Sequence, residues 1–471
     1  MPNALNPNPK HVPVLDSRFV PAVLWNRAYR ERVARDAAGQ DLLLALTRPD
    51  GTVFRHAVRV LPDGEANRPL NLRYVERLLK FLLWMKGGSR VLVAGSDTLA
   101  AQLAKVFSAE GARAFDDQTV GRKVFLDERL RIEARSMEEM PGEFSTSAAL
   151  GRNLDGCRIG FDLGGSDRKC AAVIDGEVVH SEEVEWSPYF ESDPNYHFEG
   201  IMDSLRRAAR HMPRVDAIGG SSAGVYVNNE PRVSSLFRGV SDKDFDKHVR
   251  PMFGRVREAW KGVPFEIAND GEVTALAASM SLKDNAVLGI SMGTSLAAGY
   301  CDGDGRITSW LNELAFVPMD YADSAPRDEW SGDLGCGVQC FSQQAVARLA
   351  PLAGLDYADE MPLPERLSAV QAMMKKGDER ARRIFETIGV YFGYSVAWFA
   401  EFYEIRHLLI LGRVTSGEGG EIVIEKGKQI LADEFPELAQ SVGMTTPDED
   451  FKRHGQAIAA ASLPSLRSGR R

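Results

Sequence analysis

The sequence has few cysteines, no long apolar run and no excess of positive charge. Its 471 residues carry a net charge of -9, which argues against a nucleic-acid-binding surface. No apolar stretch is long enough to span a bilayer, and the polar, proline-rich start lacks the features of a secretory signal. The five cysteines form no framework spacing, so reduced thiols are expected. We therefore expect a cytoplasmic protein with no nucleic-acid or membrane partner.

The length and composition predict a protein of several domains. A hydrophobic content of 44% and a charged content of 26% are typical of globular proteins, and 471 residues exceed one ordinary core. Residues 1–150 combine a hairpin around Asp50-Gly51 with a buried strand over 90–94 that leads through Gly95 into a helix. This pattern predicts an N-terminal α/β domain of unknown role. It contains no basic helix-turn-helix.

A strand, a glycine pair and a second strand make up residues 158–176. Gly164 and Gly165 permit close approach of a phosphate to the backbone, and Ser166 follows them. Asp162, at the end of the first strand, can hold Mg²⁺ through water. Lys169 can add positive charge near the phosphates, or can be a solvent-facing lysine. The alternative for the whole stretch is a glycine hairpin with a solvated Asp.

Two further segments can serve an acceptor. The loop from Gly219 to Gly224 is built of small residues that let the backbone approach a ligand. Phe265 to Ala268 end a strand, and Asn269-Asp270 lie at its tip before a helix rich in alanine. An Asp at the carboxyl end of a strand is placed to act as a general base on a hydroxyl. The alternative is that Asp270 merely caps the helix.

The strand–glycine–strand pattern recurs about 130 residues later. Gly293, Thr294 and Ser295 lie between two apolar strands, so two such hairpins can clamp a polyphosphate. A buried strand over 408–411 then opens into a glycine-rich loop that includes Gly412 and Gly417, which can admit a purine. The duplication predicts two similar halves with a nucleotide in the cleft between them.

Five motifs in this order resemble those of the sugar kinase, hsp70 and actin superfamily, and within it the ROK family of sugar kinases and repressors. The resemblance covers residues 155–465. The motifs are FDLGGSDRK, IGGSSAGVYV, IANDGEVTA, ISMGTSLAAGY and LILGRVTSGEGG. It implies a two-lobed, actin-like ATPase fold of the ribonuclease H-like type with duplicated mixed sheets. The extra N-terminal domain would span 1–150, and the lobes 151–285 and 286–471.

The resemblance also implies site roles. Asp270 would be the base, with Asn269, Gly224 and Glu313 on the acceptor side. Asp162 would organise Mg²⁺ through water. The ATP-binding residues would be Asp162, Gly164, Gly165, Ser166, Lys169, Gly293, Thr294, Ser295, Gly412 and Gly417. The protein would be a homodimer and use ATP and Mg²⁺.

Two departures from the family pattern concern the acceptor side. The sugar-contact Glu is present as Glu313, but the His expected three positions later is Phe316. The zinc segment reads EWSGDLGCGVQCF, which keeps Cys336 but replaces the other ligand positions. Zinc is therefore poorly supported. We expect Cys336 and Cys340 to be buried, inert thiols, with a metal held by outside ligands as the alternative.

The sequence thus predicts an ATP-dependent kinase that phosphorylates a hydroxyl of a sugar or sugar-like molecule. The alternative is a non-catalytic sugar-binding or regulatory protein that kept the cleft. A third hypothesis, an ATPase that activates a redox partner through an iron–sulfur cluster, would need more ligands than Cys336 and Cys340.

Overall fold

The computed structural model describes residues 5, 7–145, 150–446 and 455–466. Within them the chain forms three sheets of four or five strands and a two-stranded sheet of β9 and β10. The N-terminal sheet has the strand order β2-β1-β3-β4, with β4 parallel to β3 and the other pairs antiparallel. Alternation around the Asp50-Gly51 turn produces the β1–β2 hairpin as predicted. The elements are α1 Ala22–Ala34, β1 Gln40–Thr47, β2 Val53–Val60, α2 Arg68–Met85, β3 Arg90–Ala94, α3 Asp97–Val106, α4 Ala114–Asp116 and β4 Arg131–Ala134.

The second sheet has the order β11-β8-β5-β6-β7. β5, β8 and β11 are parallel, while β6 and β7 continue the sheet antiparallel from β5. The elements are β5 Cys157–Leu163, β6 Asp167–Ile174, β7 Glu177–Glu185, α5 Pro194–Ala209, β8 Ala217–Ser222, β9 Val225–Val227, β10 Glu230–Val233, α6 Asp242–Asp244, α7 Met252–Ala259, β11 Phe265–Asn269 and α8 Asp270–Leu282.

The third sheet has the order β13-β12-β14-β15, with β13 antiparallel to β12 and the remaining pairs parallel. Its elements are β12 Val287–Met292, β13 Leu296–Cys301, α9 Val338–Phe341, α10 Gln343–Leu352, α11 Leu363–Met374, α12 Glu379–Phe399, β14 His407–Leu411, α13 Glu418–Glu434, α14 Pro436–Ser441, β15 Gly443–Thr445 and α15 Gln456–Ala461. Short 3₁₀ or π-helical turns lie at Asp117–Val124, Met137–Glu139, Pro188–Phe190, Ser235–Phe237, Phe245–Val249, Leu314–Phe316 and Arg413–Thr415.

The second and third sheets repeat one arrangement. In each, the first strand of a glycine hairpin has its antiparallel partner on one side and a parallel strand on the other. The run β6-β5-β8-β11 thus corresponds to β13-β12-β14-β15. The predicted fold of duplicated mixed-sheet halves with an additional N-terminal α/β region is therefore confirmed.

Helix α15 follows the strands of the third sheet in sequence but packs on the second sheet. It packs on β5 and β8 at two glycines, Gly160 and Gly219. A Cβ added at Gly160 would lie 1.9 Å from the Ala457 carbonyl oxygen, and one at Gly219 1.7 Å from that of Ala460. Only glycine permits this approach, so these two residues let the C-terminal helix cover the sheet.

The N-terminal region shares a hydrophobic core with the second half. One continuous cluster of buried side chains contains residues of α1, α2 and β1 together with residues of α10, α12 and β14. Phe81 of α2 illustrates the contact, because its ring lies 5.1 Å from Trp398 and 4.1 Å from Phe402. The first half has its own cluster. The boundaries at 150 and 285 stay a prediction.

None of the helices in the described ranges is both long and apolar enough to cross a bilayer.

Candidate active site

Asp162 lies near the carboxyl end of β5, in the middle of its sheet. It faces Ser221 across the parallel pair with β8 and Lys169 across the hairpin with β6. Burial raises the pKa of Asp162 to about 6, the Ser221 hydroxyl opposes this shift, and the charge of Asp270 adds to it. A buried carboxylate with an incompletely compensated charge favours a nearby cation.

Asn269 and Asp270 join β11 to α8. The Asn269 side chain accepts a hydrogen bond from the Gly271 amide at 2.8 Å, so Asn269 is the N-cap residue. The Asp270 carboxylate accepts from the same amide at 3.0 Å, so Asp270 also contacts the start of the helix. The Asn269 amide donates to the Gly224 carbonyl at 2.8 Å, which joins two residues predicted for the acceptor side. Burial raises the pKa of Asp270, although the Gly271 amide opposes this.

Glu313 follows from a distant part of the chain, directly before the 3₁₀ turn Leu314–Phe316. Burial, together with the smaller effect of the Asp270 charge, raises its pKa to about 7. Asp270 therefore interacts electrostatically with both Asp162 and Glu313. The structure thus brings together three of the predicted carboxylates, although they come from three separate segments.

The first glycine turn connects β5 to β6 as predicted. Trp186 donates its indole N–H to the Gly164 carbonyl at 2.8 Å, and a Cβ at Gly165 would lie 2.2 Å from the Tyr189 hydroxyl. The Ser166 hydroxyl donates to Asp167 at 2.7 Å. These contacts all lie within the first half.

Lys169 is half-buried and lies 3.8 Å from an Asp167 oxygen. Its charge also counters the shift at Asp162. Lys169 is therefore not a purely solvent-facing lysine, since its charge acts on both Asp167 and Asp162.

The second glycine turn, between β12 and β13, lies on the other sheet. Thr294 and Ser295 are exposed, and a Cβ at Gly293 would meet nothing closer than the Ser295 carbonyl at 3.7 Å. Gly412, with φ of 100°, abuts this hairpin, since a Cβ there would lie 2.4 Å from the Met292 carbonyl. The structure therefore places the predicted adenosine loop beside the second phosphate turn.

The same loop continues to α13. Gly417 has a φ of 69° and directly precedes the helix, with open space around it. The loop thus has room on the side where the helix begins.

A cleft of about 360 Å³ lies beside Asn269 and Gly224. Among its described lining residues, Asn269 and Gly224 are the two predicted site residues, and Asp162, Asp270 and Glu313 do not line it. Glu272, Arg48 and Trp310 also line the cleft and are not among the predicted site residues. Burial raises the pKa of Glu272 to about 8, opposed by a hydrogen bond that its carboxylate accepts from the Asn312 amide at 3.2 Å. A signal for Glu272 existed, because it is the one charged residue in the otherwise small and apolar run EVTALAASM. No local pattern marks Arg48.

Asp162 and the second glycine turn fit Mg²⁺ and a nucleotide. In the described ranges, no three or more His, Cys, Asp or Glu side chains are grouped as metal ligands. Mg²⁺ is usually held by one or two carboxylates together with water and substrate phosphates, so Asp162 alone is a sufficient protein contribution. The open surface at Gly293 leaves room for phosphate oxygens at the backbone.

Cys336 and Cys340 are buried free thiols. Burial raises the pKa of Cys336 to about 11 and that of Cys340 well above its ordinary value. Asp333 of the same segment pairs with Lys80 and Arg113 of the N-terminal region. The segment that carries Cys336 is thus linked to the N-terminal region by ion pairs.

No protein-family model matches the chain, and no curated protein sequence matches it. Solved structures are similar to it. A ROK hexokinase from Thermus thermophilus has a TM-score of 0.51 and 19% identity over 65% of this chain and 96% of that chain. A ROK family glucokinase from Streptomyces griseus, solved with glucose and AMPPNP, has a TM-score of 0.45 and 18% identity over 65% and 98%. A ROK family transcriptional regulator, a homologue of the E. coli MLC protein, has a TM-score of 0.49 and 18% identity over 66% of this chain and 79% of that chain.

The chain has the two-lobed, actin-like fold. Its likeness to the ROK hexokinase shows the fold of the ROK proteins, so the resemblance predicted from its motifs is confirmed at the level of fold. About a third of the chain lies outside the likeness, as expected for an added region.

Proposed function

We propose that this protein is an ATP-dependent kinase that transfers a phosphoryl group to a hydroxyl of a sugar or sugar-like small molecule. The observation that carries the proposal is the position of Asp270, whose charge acts on both Asp162 and Glu313 from a third chain segment. Asn269, the chain neighbour of Asp270, lines a cleft together with Gly224. A protein that only bound sugar would have no use for a buried carboxylate at the phosphate turn.

Asp270 acts as the general base. The acceptor O–H proton passes to an Asp270 carboxylate oxygen while the acceptor oxygen bonds to phosphorus and the bond to the leaving ADP oxygen breaks. Burial, which raises the pKa of Asp270, makes it a stronger proton acceptor than an exposed Asp. Its position in the first turn of α8 stabilises the negative charge that it holds before the reaction.

On the phosphate side, Asp162 would hold Mg²⁺ through water, and the turns at Gly164–Ser166 and Gly293–Ser295 would bind the phosphates. Gly412 and Gly417 admit the purine. When bound, ATP would supply the phosphoryl group and Mg²⁺ would neutralise its negative charge. The chain itself contributes position and backbone donors.

On the acceptor side, Glu313 and Asn269 bind hydroxyl groups. The cleft lined by Asn269 and Gly224 has a volume of about 360 Å³, near the lower end of the roughly 300–1,000 Å³ typical of small-molecule sites. Several carboxyl and amide groups line it, including Glu266, Glu272 and Asn229. This polarity suits a single polyhydroxylated ring.

The test is ATP consumption by the full chain against a panel of sugars, amino sugars and polyols. Asp270→Asn is expected to lose roughly 10²–10⁴-fold in turnover, as for removal of a general base, while Asp304→Asn, at an exposed turn, keeps the wild-type rate. Equal rates for wild type and Asp270→Asn would remove Asp270 from the mechanism. If no panel member is phosphorylated but a sugar raises the melting temperature, the protein is the sugar-binding alternative.

A further inference from the structure

The carboxyl end of α2, in the N-terminal region, contacts the segment that carries Glu313. The last carbonyl groups of a helix have no partner within it. Here the Met85 carbonyl accepts a hydrogen bond from the backbone N–H of Asn312 at 3.0 Å, and the Trp84 carbonyl accepts one from the backbone N–H of Glu313 at 3.0 Å. The backbone at Glu313 is therefore fixed by a helix that lies outside the duplicated halves.

Arg48 holds the same segment from a second direction. It follows β1, at the start of the β1–β2 turn, and its side chain is buried. Its guanidinium donates to the Ser309 hydroxyl at 3.2 Å and to the Ser309 carbonyl at 2.8 Å, and it also donates to the Lys86 carbonyl just past the end of α2. A single planar side chain thus joins the hairpin turn, α2 and residue 309.

Within the segment, the Asn312 side chain is held at both ends. Its amide donates to Glu272 at 3.2 Å, and its oxygen accepts from the Tyr403 hydroxyl at 2.9 Å. Asn312 has a positive φ of 52°, which is uncommon for a residue other than glycine. These contacts leave residues 309–313 little freedom to move.

The N-terminal region also contacts Phe316, the residue at the position where the family motif has a histidine. The Phe316 ring lies 4.3 Å from Trp84 of α2 and 5.3 Å from Phe115 of α4. The position at which the motif predicts a sugar-contacting His is therefore occupied by an aromatic contact with the N-terminal region. Arg48 and Asp50 line the cleft as well, so this region also forms one of its walls.

We infer that the N-terminal region is a working part of the acceptor site, in which Arg48 and the carboxyl end of α2 hold residues 309–313 and so set the position of Glu313. Arg48 is a positioning residue, because although it lines the cleft its guanidinium hydrogen bonds go to Ser309 and Lys86. The description of this side as the acceptor site rests on the proposed function, whereas the positioning itself does not.

Hydrogen–deuterium exchange measured by mass spectrometry on the full chain tests the positioning. In Arg48→Ala the amides of residues 309–313 are expected to exchange roughly 10- to 100-fold faster, the factor for loss of hydrogen bonds from a charged group. Peptides from β5 and β14 should be unchanged. Arg48→Lys, which retains the charge but not the planar fork, should give an intermediate rate and guards against misfolding of the Ala variant.

Arg59→Ala is the matched control, because Arg59 is an exposed arginine of the same hairpin that bonds only to Gly39 and Asp41 in the described contacts. It should leave exchange at 309–313 at the wild-type rate. Unchanged protection of 309–313 in both Arg48 variants would overturn the inference.

Kinetics separate this result from the proposed function. If the protein is a kinase, Arg48→Ala should raise KM for the acceptor at least about tenfold and leave KM for ATP unchanged, and Arg48→Lys should recover part of the loss. An equal rise in both KM values would indicate a merely structural role and overturn the inference. If no acceptor is turned over, the proposed function fails, while the exchange experiment still decides the positioning.

Discussion

Replacing Lys80 should destabilise the protein strongly, because Lys80 is the central cation of a buried ionic cluster. Its side chain is fully buried, and its ammonium lies 2.9 Å from Asp116 and 2.5 Å from Asp333. Arg113 also pairs with Asp333 at 2.5 Å, and the Trp84 indole donates to Asp116 at 2.5 Å. The cluster fastens α2 to the segment with Cys336.

The charge state of the cluster sets the magnitude. Burial alone would lower the pKa of Lys80, but the charges of Asp116 and Asp333 outweigh it and raise the pKa. Lys80 is therefore an ammonium at neutral pH. In Lys80→Met, Asp116 loses its cation and Asp333 keeps only Arg113. Removing one partner of a buried pair costs about 3–5 kcal/mol of unfolding free energy.

Urea denaturation followed by tryptophan fluorescence measures this loss, since Trp84 contacts the cluster. Lys105→Met is the control, because Lys105 is an exposed lysine of α3 and surface substitutions change stability by about 0.5 kcal/mol or less. A loss below about 1 kcal/mol for Lys80→Met would refute the account of the cluster.

Three further predictions concern glycine packing and buried carboxyl groups. Gly160→Ala should lower stability by about 1–3 kcal/mol in thermal denaturation, because its Cβ would overlap α15. The control Gly254→Ala, on an exposed turn of α7 with open space around it, should not lower stability. Equal melting temperatures for the two variants would contradict the packing argument. Burial raises the pKa of Glu272 to about 8, above its unfolded value, so its ionisation costs stability as the pH rises from about 4.5 through 8. Glu272→Gln should therefore be more stable than wild type at pH 9, by up to about 5 kcal/mol, and should lose this advantage near pH 4.5. A pH-independent difference in melting temperature would contradict this sign. The raised pKa values of Asp162, about 6, and Glu313, about 7, predict that kcat/KM rises between about pH 6 and 8 as these groups ionise, and a flat pH profile would show that they are not needed in the ionised form.

Local features of the fold could be predicted from the sequence because they depend on neighbouring residues. The strand over 90–94 is β3, and both glycine hairpins form between strands that alternation and apolar runs mark. The Asn269-Asp270 pair lies at the tip of β11 as expected. In each case, turn residues and periodicity act within about ten residues.

The rest depends on contacts between distant segments, which no local pattern records. Arg48 and Ser309 are 261 positions apart, and neither lies in a recognisable motif. In the sequence, Phe316 is only a departure from the family pattern, whereas in the structure its ring packs against those of Trp84 and Phe115. The role of the N-terminal region at the cleft follows from such contacts alone.

The measurement that tests the central claim most directly is mass spectrometry of the acceptor after incubation with the full chain, ATP and Mg²⁺. The account predicts a sugar or polyol that gains one phosphoryl group with the wild type, and roughly 10²–10⁴-fold less of it with Asp270→Asn. Equal amounts of phosphorylated acceptor from wild type and Asp270→Asn would contradict the account, as would a sugar that binds in the presence of ATP and Mg²⁺ and remains unmodified.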